Sequence, residues 1–144
     1  MKDDPILLVE DNDDDADLTE MAFRDANIAN PIVRVRDGVE ALAQLHGSNG
    51  EGVATLPVVV LLDIKLPRIG GLDVLKRIRN TEATKHLPVV ILTSSDEDRD
   101  RAEAYNHFAN SYVRKPVDYD AFVTASRQLG LYWTVTNLPP PSDR

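Results

Sequence analysis

The groups able to do chemistry in this chain stand directly after its apolar runs. Glu10 and Asp11 follow Ile6–Val9, Asp63 follows Val58–Leu62, Thr93 and Ser94 follow Val89–Leu92, and Lys115 lies just beyond Tyr112–Val113. Three carboxylates gathered at one rim repel one another and call for a cation. Hard oxygen ligands, with neither His nor Cys beside them, favour Mg2+ over zinc. Mg2+ takes one or two carboxylates, keeps water, and completes its shell with a phosphate oxygen. A carboxylate can itself be a nucleophile and form an acyl phosphate. Such chemistry also needs a point charge and a hydroxyl for the phosphoryl oxygens, which Lys115 and Thr93 can supply. A single Asp after a strand is ordinarily a cap or turn residue. What singles out Asp63 is that three other strand ends carry a compatible group. Asp13–Asp15 and Asp17 read instead as a solvated face favoured by a helix dipole, without a catalytic role.

Convergence of these groups requires parallel strands in one sheet. Ile6–Val9, Val58–Leu62 and Val89–Leu92 are continuous, rich in Val, Ile and Leu, and each follows a proline (Pro5, Pro57, Pro88). That is the pattern of strands buried on both faces. Ile32–Val35 is more alternating and predicts an edge strand, while Tyr112–Val113 is a strand mainly by position. Helical spacing fills the gaps. Leu18, Met21, Ala22 and Asp25 follow Asn12 or Asp13 as cap. Val39, Leu42, Ala43 and His46 run to Gly47, and Leu72, Leu75, Lys76 and Ile78 follow Gly70-Gly71. Residues 97–107 carry only Ala102 and Tyr105 as an apolar seam. Phe122, Ala125, Ser126, Leu129, Tyr132 and Trp133 form a stripe behind an Asp118 cap. Strand and helix thus alternate, predicting an α/β fold with an open, doubly wound parallel sheet and helices on both faces. Ligands of such sheets bind beyond the carboxyl ends of the strands.

At 144 residues the chain fits one domain. Its net charge of −8 argues against nucleic acid or an anionic membrane as the main partner. With no cysteine, disulfides, thiolate metal sites and cysteine nucleophiles are ruled out. Nothing in "MKDDP" reads as a signal peptide and no apolar run approaches membrane-spanning length, so a cytoplasmic protein is expected. Two segments break the rhythm: the glycine-rich loop 47–57 and the proline-rich ending "TNLPPPSDR", which cannot continue a helix.

The sequence resembles the response-regulator receiver family over nearly its whole length. The resemblance rests on "ILLVEDN", "VVVLLDIKLPRIGGLDVL", "PVVILTSS" and "NSYVRKPVD" in this order and strand context. It implies a flavodoxin-like, five-stranded sheet of order 2-1-3-4-5, with a receiver domain over 1–133 and a C-terminal arm over 134–144. By the same resemblance Asp63 is the phosphoacceptor. Asp11, Asp63 and the Lys65 backbone carbonyl bind Mg2+ (Mn2+ as an alternative), with Glu10 acting through water. Thr93 and Lys115 hold the phosphoryl group, Thr93 and Tyr112 form the switch, and the Lys115–Pro116 bond is cis. A narrower likeness, in the long loop, "YDAFV" and the "YW…LPP" ending, is to single-domain regulators paired with bacterial phytochromes. It implies a sensor histidine kinase partner, a bacteriophytochrome being one candidate, and a downstream effector or phosphotransfer protein. It also implies a homodimer in which Trp133 and the arm from Leu138 lie on a second subunit; the alternative is that the aromatics pack on their own domain. Two departures stand out: Phe108 lies where a helix-closing Gly is common, and His107 where an apolar residue is usual. Rival functions are a pseudo-receiver that only binds partners, and an aspartyl-phosphate phosphohydrolase. Lys65 counts against the hydrolase, since it stands where such enzymes carry a general acid.

Overall fold

The computed structural model describes residues 4–53, 55–95 and 97–141. Five parallel strands, β1 (Ile6–Val9), β2 (Ile32–Val35), β3 (Val59–Leu62), β4 (Val89–Thr93) and β5 (Ser111–Arg114), form one sheet in the order β2-β1-β3-β4-β5. The helices α1 (Asp13–Asp25), α2 (Gly38–His46), α3 (Gly71–Arg79), α4 (Asp98–Asn106) and α5 (Tyr119–Leu131) alternate with them. The continuous apolar runs are the inner strands β1, β3 and β4, and every residue of these is buried. The alternating run is the edge strand β2, as its pattern predicts, and β5 closes the other edge. Leu7, Val9, Val60, Leu62, Val89 and Ile91 pack on one side with Leu45, Val74, Leu75 and Ile78. Ile6, Leu8, Val59, Leu61 and Val90 pack on the other with Ala16, Ala22 and Phe23. Successive side chains of a buried strand serve opposite layers, which is why these runs are apolar throughout.

Side-chain caps start three of the helices, at Asn12 and Asp118 as expected and also at Asp37. Asn12 accepts from the Asp15 amide at 2.9 Å, Asp37 from Glu40 at 2.8 Å, and Asp118 from Ala121 at 3.0 Å. Two glycines let neighbouring backbones touch: a Cβ on Gly71 would overlap the Asp63 carbonyl oxygen, and one on Gly38 the Ile69 carbonyl oxygen. Gly71 therefore lets α3 begin hard against the backbone of Asp63.

The helix faces depart from the hydropathy reading, because small residues make the closest approaches. On α2 the buried residues are Gly38, Ala41 and Leu45, with Val39 exposed. On α4 the single buried residue is Ala104, whereas Ala102 and Tyr105 face solvent. On α5 they are Phe122, Ser126 and Gly130; Ala125, Leu129 and Trp133 are half-buried at the margin. Trp133 packs against its own domain's core and meets Tyr132 edge-on, with ring centroids 5.0 Å apart. After a π-helical turn over Tyr132–Thr136 the proline-rich segment is extended, and Leu138 is 88% exposed.

Candidate functional site

The end of the sheet where the strands finish collects the polar groups. Register Val9↔Leu62 sets the ends of β1 and β3 level, and Leu62↔Ile91 carries Thr93, the last residue of β4, just past them, so Glu10, Asp63 and Thr93 share one rim. Asp63, only 6% exposed, lies at its centre. Thr93 donates its hydroxyl to Asp63 Oδ1 at 2.6 Å, and Lys115 Nζ lies 3.2 Å from Asp63 Oδ2. Lys115 also reaches Glu10 Oε1 at 2.5 Å and Asp15 Oδ2 at 2.8 Å. Carboxylate oxygens of Glu10, Asp11 and Asp63 all lie within 4.8 Å of one another. Glu10 and Asp63 are buried and Asp11 is exposed, so the group is open to water on one side. That donor set, all oxygen and partly hydrated, fits a hard divalent cation. The Lys65 amide points back at Asp63 Oδ1 from 3.4 Å, a weak contact.

The electrostatics of this rim are competitive. Burial pushes the Glu10 carboxyl up to about 7, against the hydrogen bond and charge of Lys115, which pull it down. Burial works against the charge of Lys115, yet its hydrogen bonds to Asp15 and Glu10 and the charge of Asp63 outweigh it and raise its pKa. One ammonium thus serves three carboxylates.

All five expected residues, Glu10, Asp11, Asp63, Thr93 and Lys115, meet here. Asp15 was expected on a solvated face and instead contacts Lys115. It stands in the first turn of α1, close enough to the rim for its carboxylate to meet the ammonium of Lys115. Asp13 is exposed but ion-paired, to Arg34 at 3.0 Å and Arg36 at 2.7 Å. The Lys115–Pro116 bond, expected cis, is trans, since no cis peptide occurs among the described residues. Trans is the isomer an X–Pro amide itself favours.

A chain of contacts leads outward from Asp63. Thr93 Oγ1 accepts from the Ser95 amide at 3.3 Å, the Ser95 carbonyl accepts from the Tyr112 hydroxyl at 2.9 Å, and the Ser95 hydroxyl donates to Asp100 Oδ2 at 2.7 Å. Tyr112, half-buried on β5, is therefore tied to the loop that follows Thr93 and leads into α4. At the far end of α4, Phe108 takes the left-handed conformation, φ 64°, and is 72% exposed. The departure from Gly is thus accommodated as backbone strain. Trp133 and Leu138 lie on the α5 ending, outside this set of contacts.

The family model for the response regulator receiver domain matches residues 6–127. The probable methanogenesis regulatory protein FilR2 of Methanothrix harundinacea is 39% identical over 135 residues, 94% of this chain and 86% of that protein. The phosphorylated cyanobacterial phytochrome response regulator RcpA superposes with a TM-score of 0.87 at 32% identity, covering 96% of this chain and 99% of that one. The Mn2+-bound form of Rcp1 of Synechocystis gives 0.87 at 29% identity, with the same coverage.

Proposed function

The chain belongs to the response regulator receiver family of phosphoacceptor signalling proteins, and from that premise we propose that a sensor histidine kinase transfers a phosphoryl group to Asp63. An Asp63 carboxylate oxygen attacks the phosphorus of the phosphohistidine. The new O–P bond forms as the P–N bond breaks, and the imidazole leaves with the electron pair and takes a proton. Thr93 and Lys115 hold the Asp63 carboxylate beforehand and the phosphoryl oxygens afterwards. Asp11, Asp63 and the Lys65 carbonyl, with Glu10 through water, would hold Mg2+, or Mn2+ in its place, which when bound would supply the remaining charge neutralisation. The observation that carries this reading is the convergence of a hydroxyl, an ammonium and two further carboxylates on one buried aspartate.

Output follows from the same contacts. When Thr93 turns its hydroxyl from Asp63 to a phosphoryl oxygen, it pulls on Ser95, and the Tyr112 hydroxyl bonded to Ser95 must re-seat. The changed surface signals to an effector or passes the phosphoryl group to a phosphotransfer protein. Likeness to RcpA supports a phytochrome as the cognate kinase. The net charge of −8 supports a protein partner rather than nucleic acid or membrane, and no described helix is long and apolar enough to cross a membrane. Operation in the cytoplasm is part of this reading. We take residues 1–133 as the receiver, with Trp133 packed on its own core, and 134–144 as an arm that joins two copies through Leu138; the exposure of Val135 and Leu138 supports this. Sedimentation should give a dimer that loosens when 134–144 is deleted.

The direct test is incubation with acetyl phosphate and Mg2+ followed by intact-protein mass spectrometry. One phosphoryl group per chain, absent with chelator and in Asp63→Asn, is expected. No adduct would leave a protein-binding pseudo-receiver, and turnover of unrelated phosphate esters would indicate a hydrolase.

A further inference from the structure

We infer that Arg34 is a positioning residue for the Glu10–Asp11 turn, its guanidinium holding the backbone that presents the cation-binding carboxylates; this rests on the reading of those carboxylates as a Mg2+ site. Arg34 pairs in register with Leu8, and Leu8 with Leu61, so all three side chains face the same layer. Leu8 and Leu61 belong to the apolar core on that side, and Ile32, two residues earlier on β2, packs against it. An aliphatic residue would fit the pattern at position 34, yet a cation stands there with its side chain 17% exposed. Arg34 Nη2 is buried without a partner among the described residues. Taking a guanidinium out of water with one nitrogen unsatisfied is costly, and packing alone gives no reason for it.

The reason lies in the two contacts it does make. Nε donates to the Glu10 carbonyl at 2.8 Å, and Nη1 to Asp13 Oδ1 at 3.0 Å. Glu10 is otherwise held by its amide on the Val35 carbonyl at 3.0 Å, by Lys115 on Oε1, and by the Asn12 amide on Oε2 at 3.1 Å. Arg34 takes the remaining polar group of Glu10 and ties the start of α1 to the same point. The turn it spans is dense in like charge, since Glu10, Asp11, Asp13, Asp14 and Asp15 follow almost without interruption. Left to repulsion, these carboxylates would spread, and Asp11 would lose its place beside Asp63.

The sign of the effect distinguishes positioning from charge. A cation near a metal site repels the metal, so removing Arg34 for its charge alone would tighten Mg2+ binding. If Arg34 positions the turn, Arg34→Met weakens Mg2+ binding about tenfold, the low end of what losing an outer-shell partner costs. Calorimetric Mg2+ titration of wild type, Arg34→Met and Arg34→Lys measures this, alongside the Mg2+ dependence of acetyl-phosphate labelling. The half-saturating Mg2+ concentration should rise with the dissociation constant while the rate at saturating Mg2+ stays at the wild-type level. Affinity in Arg34→Met equal to or tighter than wild type would overturn the inference. Should that variant fail to fold, Arg34→Lys decides: it keeps the charge without the fork, so weakened Mg2+ binding supports positioning and wild-type affinity overturns it. Wild-type protein that binds no Mg2+ would overturn the metal-site reading and this inference together; wild-type binding with unchanged variants overturns the inference alone.

Discussion

The two ends of the sheet are each drawn together by one long cation, and the partners differ. At the carboxyl end Lys115 holds the carboxylates of Glu10, Asp15 and Asp63. At the opposite end Arg79, the last residue of α3, holds the carbonyls of Lys85, Leu87 and Phe108 and the side-chain oxygen of Asn110. It thereby fastens the segments that lead into β4 and β5. The partners of Lys115 can change charge, by protonation, by a bound cation or by accepting a phosphoryl group. Those of Arg79 are neutral amides whose charge is fixed. The same device therefore gives a responsive end and an inert one, and the difference lies in the acceptors rather than in the cation.

That contrast can be broken most severely by exchanging each cation for Met. Lys115→Met should slow acetyl-phosphate labelling of Asp63 by roughly 100-fold, the scale of losing one preorganised charge at a reacting centre. Arg79→Met should leave labelling unaltered and instead lower the unfolding free energy by about 3 kcal/mol in a denaturant titration, since several charge-assisted hydrogen bonds are lost. A labelling defect in Arg79→Met would erase the distinction. A smaller effect belongs to Thr93→Ala, which should cost about 1 kcal/mol in stability. It should still take up the phosphoryl group, but amide exchange at Ser94 and Ser95 should no longer respond to it.

Smaller again is relief of strain at the inert end. Phe108→Gly removes a left-handed aromatic that is mostly in solvent, so the gain should be about 0.5 kcal/mol after the entropy cost of glycine. Denaturant midpoints measure it, with labelling unchanged.

The smallest effects are in pH, and they run in opposite directions at the two ends. Glu10 is raised to about 7, so the folded state keeps a proton that the unfolded chain releases near 4.5. Its contribution to stability is present below about 4.5 and is lost as pH rises through about 7. His46, whose ring nitrogen meets Thr84 Oγ1 at 3.0 Å, is lowered by burial. Its folded state resists the proton, so stability is lost as pH falls below the ordinary 6.5. Unfolding of Glu10→Gln and His46→Gln against wild type across this range should show differences of opposite slope.

Sequence carried the strand ends well, because a strand buried on both faces must be apolar throughout and its first polar residue marks the rim. Glu10, Asp63 and Thr93 are legible for that reason. Asp15 was hidden among neighbouring acids, since nothing in its residue type sets it apart from Asp13 and Asp14. Arg34 and Arg79 were hidden by length: an arginine's partners lie far along the chain, Glu10 for one and Phe108 for the other. On α4 hydropathy favoured Tyr105, but the residue turned to the core is Ala104, and Tyr105 is exposed.

The claim on which the rest depends is that the responsive end acts through one atom group, the Asp63 carboxylate. Borohydride reduces an acyl phosphate to an alcohol, converting a phosphorylated aspartate to homoserine. After acetyl phosphate, Mg2+ and borohydride, peptide mass spectrometry should find homoserine at position 63 in wild type and in Arg79→Met. Conversion at another residue, or none at 63 in protein that carries a phosphoryl group, would contradict the account.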